Sequence, residues 1–158
     1  MYVTTYNDAR RRGSILRAGM DGSGRTEIVK GLESPGGIVI DHSSSKLFWA
    51  DNFANRIQSS DLDGENVETV ATLQDGAKPW GIIMYDGRLF WGNYQARTLR
   101  SANKTGGDIQ TVYRAASSVT HLTSLTQDVP KFSRQNHCDG LGCSNICVLT
   151  PASATCMG

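Results

Sequence analysis

Short runs of Val, Ile, Leu, Phe and Trp alternate along most of this chain with Gly, Asp, Asn and Pro, and no apolar stripe of helical period is sustained. The pattern predicts short strands joined by turns and no long helix. The runs recur. Leu89-Phe90-Trp91-Gly92-Asn93 repeats Leu47-Phe48-Trp49-Ala50-Asp51 at a step of 42 residues. Met20-Asp21-Gly22, Leu62-Asp63-Gly64 and Lys104-Thr105-Gly106 keep that step, as do Ile15, Ile57 and Leu99, and Ile28, Val70 and Val112. A fixed period of this size signals a solenoid or propeller, in which each unit buries its apolar face only against its neighbours.

Each repeat reads as four short strands, in the best copy 37–40, 46–50, 56–61 and 68–71. Asp63-Gly64, Asp21-Gly22, Gly106-Gly107 and Asp86-Gly87 read as hairpin turns, because each offers residues tolerant of positive φ. Pro35 and Pro79 stand just before a strand, where the missing N–H removes no ladder bond. Pro35-Gly36-Gly37-Ile38 maps onto Pro79-Trp80-Gly81-Ile82 with a step of 44, so two residues are inserted near 74–78. In the first copy Tyr2-Val3-Thr4-Thr5 stands for Phe48-Trp49-Ala50-Asp51, followed by a loop about four residues longer that holds Arg10–Arg12. Ser118–Leu125 offers one more candidate strand. Blades of about 40 residues close into rings of roughly four to eight. Three copies do not close one, so either further blades lie upstream, the favoured reading, or two copies associate.

Lys+Arg is 16 against Asp+Glu 15, a net charge of +1, which makes no electrostatic case for nucleic acid or an anionic membrane surface. Arg10-Arg11-Arg12 reads as a solvated loop tip, with a phosphate or polyanion contact as the alternative. No apolar run is long enough to span a bilayer. The start carries no signal-peptide pattern, so a fragment of a secreted or cell-surface chain is expected. All four cysteines (Cys138, Cys143, Cys147, Cys156) fall in the last 21 positions. That clustering separates a cysteine-free propeller segment, 1–131, from a small disulfide-stapled module, 132–158, suited to an oxidising compartment. Four cysteines allow about three pairings. Asn103-Lys104-Thr105 is an N-glycosylation acceptor pattern. No G-x-S-x-G elbow, H-E-x-x-H or P-loop is present, so neither catalysis nor a cofactor is expected.

Phe48-Trp49-Ala50-Asp51 and Phe90-Trp91-Gly92-Asn93, followed by Arg56-Ile57, Leu62-Asp63-Gly64 and the run 100–106, resemble the YWTD repeat of the low-density-lipoprotein-receptor family. Residues 142–151 are similar to the early part of the EGF-like module that follows such a propeller. The resemblance implies an all-β fold of about three YWTD blades and a truncated EGF-like segment, with Cys138 paired to Cys147 and Cys143 to Cys156. It implies that Trp49 and Trp91 fill the gaps between blades, that Asp51 ties adjacent blades by hydrogen bonds, and that Asn93 loses the charge but keeps an acceptor. Asp41 matches a further family Asp that Tyr85 does not. The ligand set of calcium-binding EGF modules is not visible at 133–137, and a zinc site with His137 lacks paired knuckles, so no metal is expected.

The resemblance further implies an ectodomain of a single-pass receptor at the outer face of the plasma membrane, in transit through endosomes. Protein ligands would bind the top face of the disc, for endocytosis or for signalling such as Wnt co-reception. Matching positions are Asn52, Phe53, Tyr94 and Gln95, with Trp80 at a strand start; for Trp80 and Tyr94, packing between blades is the competing reading. His42, His121 and His137 match no motif position and read as ordinary surface histidines. The rival classes are a nidogen-like matrix or precursor protein, and a calcium-dependent propeller lactonase.

Overall fold

The computed structural model describes residues 1–123 and, for Ile146–Leu149 and Ala154–Met157, the backbone. The described residues form strands and turns, with no helix among them. The first sheet is β1 (Tyr2–Asn7), β2 (Arg12–Arg17) and β3 (Thr26–Leu32). The second is β4 (Pro35–Asp41), β5 (Lys46–Asp51), β6 (Arg56–Asp61) and β7 (Glu68–Thr72). The third is β8 (Pro79–Tyr85), β9 (Arg88–Asn93), β10 (Thr98–Asn103) and β11 (Gln110–Arg114). Each sheet is an antiparallel meander in chain order. Strands β12 (Ile146–Leu149) and β13 (Ala154–Met157) form a separate hairpin with Cys147 opposite Cys156. Cys138 and Cys143, and the cysteine pairings, lie outside the described residues.

The sheets stack as blades of a partial β-propeller, and strand alternation explains how. In β5, Leu47 and Trp49 point back to the first blade, into a cluster with Ile15, Val29 and Leu32. Phe48 and Ala50 point forward, into a cluster with Ile57, Ala71, Ile82, Leu89 and Trp91. Trp91 therefore stands to the second blade as Trp49 stands to the first. Both rings are fully buried, at 0% exposure. Neither indole N–H meets an acceptor among the described residues, so both sites use the bulk of the ring rather than its polar edge. At the centre the inner strands β4 and β8 nearly touch: a Cβ on Gly36 would lie 2.8 Å from the Trp80 carbonyl oxygen.

The ladder confirms the alignment of the worn first copy. Tyr2 pairs with Arg17 as Phe48 pairs with Ser59, and positions 17 and 59 keep the 42-residue step. Tyr2 also faces forward as Phe48 does, and its hydroxyl donates to the Leu62 carbonyl at 3.0 Å. That blade has three strands, not four.

Three expectations are corrected. Pro35 and Pro79 are the first residues of β4 and β8 rather than preceding them. Of the four Gly-containing turns, Asp86-Gly87 is the tight two-residue hairpin, with Tyr85 opposite Arg88. The other three sit in longer connections whose glycine reaches the neighbouring blade where there is one: a Cβ on Gly64 would lie 2.2 Å from the Ile28 carbonyl oxygen, and on Gly106 1.7 Å from that of Val70. Finally, no strand forms over 118–123. There Thr120 runs beside Gly81 much as Trp80 runs beside Gly36 and Gly37.

Candidate functional site

Antiparallel order gives the blades two distinct ends. At one, here the upper end, β5 and β9 finish and β4 and β8 begin, as the pairs Pro35–Asp51 and Pro79–Asn93 show. The loops 52–55 and 94–97 and the elongated turn 8–11 of the first hairpin project there. Edge-to-face contact of Tyr6 with Phe53, ring centroids 6.3 Å apart, ties the first hairpin to the second blade. The Lys78 ammonium lies 4.8 Å over the same Phe53 ring and ties in the third.

The residues named from sequence divide between this surface and its scaffold. Phe53 (50%), Trp80 (40%) and Tyr94 (52%) are exposed, with Tyr6 (38%) beside them. Gln95 is exposed. Asn52 differs from the expected exposed side chain. It is buried, its N–H donates to the Ser34 carbonyl at 2.8 Å, and its amide donates to the Pro79 carbonyl at 3.2 Å. It holds the start of the third blade and shows only an edge outward. Asn52, Trp80 and Tyr94 come together with Thr120 and His121 around a cavity of about 430 Å³. Tyr6, Lys78 and Thr120 were not anticipated. The signal for Tyr6 was present, since it follows Thr5, the residue aligned with Asp51. Lys78 and Thr120 belong to irregular links that no period predicts.

Beneath this surface Asp51 is almost fully buried and accepts from the Glu33 and Ser34 N–H groups at 2.9 and 2.7 Å. It thus clasps the link between first and second blades. Asn93 occupies the equivalent position with different partners. Its amide donates to Thr98 Oγ1 at 3.0 Å, and its buried Oδ1 meets no donor among the described residues. The two-residue insertion explains this. Lys78 N–H, which would match the Ser34 N–H, donates instead to Asn55 Oδ1 at 3.0 Å, and Ala77 N–H to the Gln74 carbonyl.

At the lower end Asp41 is buried and bonded to Ser43 and Ser44, and it takes an ion pair from Lys104 of the third blade. Burial alone would raise its pKa. The Lys104 ammonium and the two serines outweigh that and hold the carboxyl well below the ordinary carboxylate range. Asn103 lies in the same turn. Its Oδ1 accepts from Thr105 Oγ1 at 2.9 Å and from Gly107 N–H at 2.7 Å. Among the described residues no cluster of three or more His, Cys, Asp or Glu side chains is placed to hold a metal ion.

No family model matches the chain. Over 156 residues it is 35% identical to low-density lipoprotein receptor-related protein 5 of Mus musculus, covering 94% of this chain and 9% of that protein. Over 122 residues it is 31% identical to low-density lipoprotein receptor-related protein 4 of Homo sapiens, covering 75% of this chain and 6% of that protein. The chain carries YWTD-type propeller repeats related to those of these receptors. It spans less than a tenth of the length of either relative. Among solved structures, one titled as a nidogen/laminin complex superposes with a TM-score of 0.62 at 25% identity, covering 68% of this chain and 42% of that one. A calcium-binding regucalcin of Agrobacterium tumefaciens superposes with a TM-score of 0.65 at 14% identity, covering 76% of this chain and 43% of that one. The second likeness is one of fold alone. The relatives by sequence are receptors by name, and in this chain the repeated motif residues Trp49 and Trp91 build the inter-blade core described above.

Proposed function

We propose that this chain is part of the ectodomain of a receptor of the low-density lipoprotein receptor-related family and that its upper end binds a protein ligand, without catalysis. The observation that carries the reading is the gathering of four exposed aromatics at one end of three blades, Trp80 and Tyr94 lining an open cavity and Tyr6 and Phe53 in contact on the same end. Exposed aromatics beside a concave surface are the usual anchors of protein interfaces. The ligand serves endocytosis or signalling of the Wnt co-receptor kind, from the extracellular side of the plasma membrane. Further blades upstream complete the disc. The propeller segment ends near 131, and residues 132–158 begin an EGF-like module with Cys138 bonded to Cys147 and Cys143 to Cys156. Asn103 carries an N-linked glycan. The nidogen likeness favours a second reading, a matrix protein that uses the same surface for assembly.

Cells displaying the full-length protein, probed with fluorescent Wnt and laminin, separate these readings. Wnt binding followed by uptake or signalling supports the receptor, with affinity falling about tenfold or more in the Phe53→Ala/Trp80→Ala/Tyr94→Ala variant. Laminin retention without uptake supports the matrix protein. Binding that the triple variant leaves unchanged contradicts both uses of this end.

A further inference from the structure

The near-neutral composition hides a separation of charge that only the topology creates. The upper end carries seven basic side chains, Arg10, Arg11, Arg12, Arg56, Lys78, Arg97 and Arg114, against Asp8, Glu33, Asp75 and the buried Asp51. At the lower end the balance reverses, with Arg17, Arg25, Lys46, Arg88 and Lys104 facing eight carboxylates, five in the turns and three (Asp41, Asp61 and Glu68) at strand ends. Ion pairs follow the same division. Lys46–Asp61, Arg88–Asp108 and Lys104–Asp41 all lie at the lower end. Among the described residues none of the six upper-end arginines is in an ion pair.

Arg10 and Arg12 line one pocket together with Glu27, but the six arginines as a set do not converge on it. Arg10–Arg12 occupy the lengthened first hairpin, Arg56 begins β6, Arg97 closes the turn before β10, and Arg114 ends β11, opposite Thr98. All six are exposed. They lie on the outer strands and hairpin tips of their blades, while Trp80 stands at the start of an inner strand. The arrangement is an arc of fixed positive charge along the rim, running past three blades and flanking the aromatic surface. Arginine predominates over lysine there, and its planar fork matches the paired oxygens of a sulfate or carboxylate group.

We infer that the rim of the upper end binds a sulfated polysaccharide of the glycosaminoglycan class, through Arg10, Arg11, Arg12, Arg56, Arg97 and Arg114. A spread row of guanidinium groups outside any ion pair, Arg97 giving only a 3.4 Å bond to the Ala116 carbonyl, suits a linear polymer with charges repeated along its length. A compact phosphate or a single acidic side chain would engage Arg10 and Arg12 alone, whose pocket also holds Glu27, and would leave Arg56, Arg97 and Arg114 unused. The sulfates stay ionised throughout the pH range in which the protein is folded, so the attraction varies with salt and little with pH. The inference rests on the extracellular placement proposed above. It does not rest on protein binding by the aromatic residues, and the two fail separately.

The test measures heparin binding to the intact protein at physiological salt, with hyaluronan (unsulfated) and polyglutamate as comparison probes. Arg10→Ser/Arg11→Ser/Arg12→Ser is expected to weaken heparin binding about tenfold or more. Arg17→Ser/Arg25→Ser, at the lower end, should leave it within about twofold, and so should Phe53→Ala/Trp80→Ala/Tyr94→Ala. Equal losses in the upper and lower arginine variants would overturn the inference. So would hyaluronan or polyglutamate binding as tight as heparin, or heparin binding that depends on the aromatic residues instead. Circular dichroism of each variant confirms that the folded state is the one compared.

Discussion

Gly22, Gly64 and Gly106 close the same turn in three successive blades. Each donates its N–H to the carbonyl three residues back, at 3.0 Å, and each has a positive φ of 80°, 91° and 82° respectively. Alanine at any of the three meets the same backbone strain, about 1–2 kcal/mol for a left-handed L-residue. Its effect on the unfolded chain is also the same and cancels in the comparison. The surroundings differ. A Cβ at Gly22 has only the end of the Arg25 side chain nearby, at 3.6 Å, whereas at Gly64 and Gly106 it would lie 2.2 and 1.7 Å from a backbone oxygen of the neighbouring blade. Backbone is pinned by its own ladder, so the blades must separate by more than an ångström. Such overpacking costs roughly 1–3 kcal/mol beyond the strain. For a chain of 158 residues each kcal/mol lowers Tm by roughly 2–4 °C. Thermal unfolding followed by circular dichroism should rank Gly22→Ala well above Gly64→Ala and Gly106→Ala in Tm. Equal losses at all three positions would refute the idea that these turns dock one blade on the next.

Further outcomes are expected from the links between blades. Asp51→Ala removes a buried carboxylate that accepts from the backbone N–H groups of Glu33, Ser34 and, at 3.5 Å, Ala54, and should cost about 3 kcal/mol or more in urea unfolding, whereas Asn93→Ala, which loses one amide bond, should cost about 1 kcal/mol. The depressed pKa of Asp41 contributes stability that is present above the ordinary carboxylate value of 3.8 and lost as pH falls below it. The stability gap between wild type and Lys104→Met should therefore be full near neutral pH and shrink as pH drops past about 4; a gap independent of pH contradicts the pairing. Asn103→Gln should abolish a mobility shift on glycosidase treatment of the secreted protein. It should also leave binding at the upper end unchanged, because the sequon lies at the opposite end of the blade.

Much of the scaffold was legible because periodicity survives in the residues that pack. Trp49 and Trp91 share one register and one kind of site, and the worn Tyr2–Thr5 copy keeps in its ladder the alignment its sequence implies. What the sequence concealed was relational. Gly64 reads as an ordinary turn glycine, and nothing in its neighbours says that Ile28 of the preceding blade comes within reach. Asp51 and Asn93 look like close substitutes, yet the inserted pair before Pro79 reroutes the N–H groups that Asn93 would have held. Asn52 matched a surface motif but spends its amide on the next blade. The charge pattern shows the same limit. Counted along the chain, 16 basic and 15 acidic residues cancel. Only the alternation of strand direction sends six arginines to one end and most of the carboxylates to the other.

The central claim is that the blades are not complete alone, the first being closed by Trp49 of the second and the second by Trp91 of the third. Fluorine NMR of the intact protein labelled with 5-fluorotryptophan tests it directly, using a soluble paramagnetic reagent and Trp80→Phe for assignment. The account predicts that the Trp80 resonance broadens while those of Trp49 and Trp91, both fully buried, stay sharp. Broadening of either core resonance alongside Trp80 in the folded protein would contradict it.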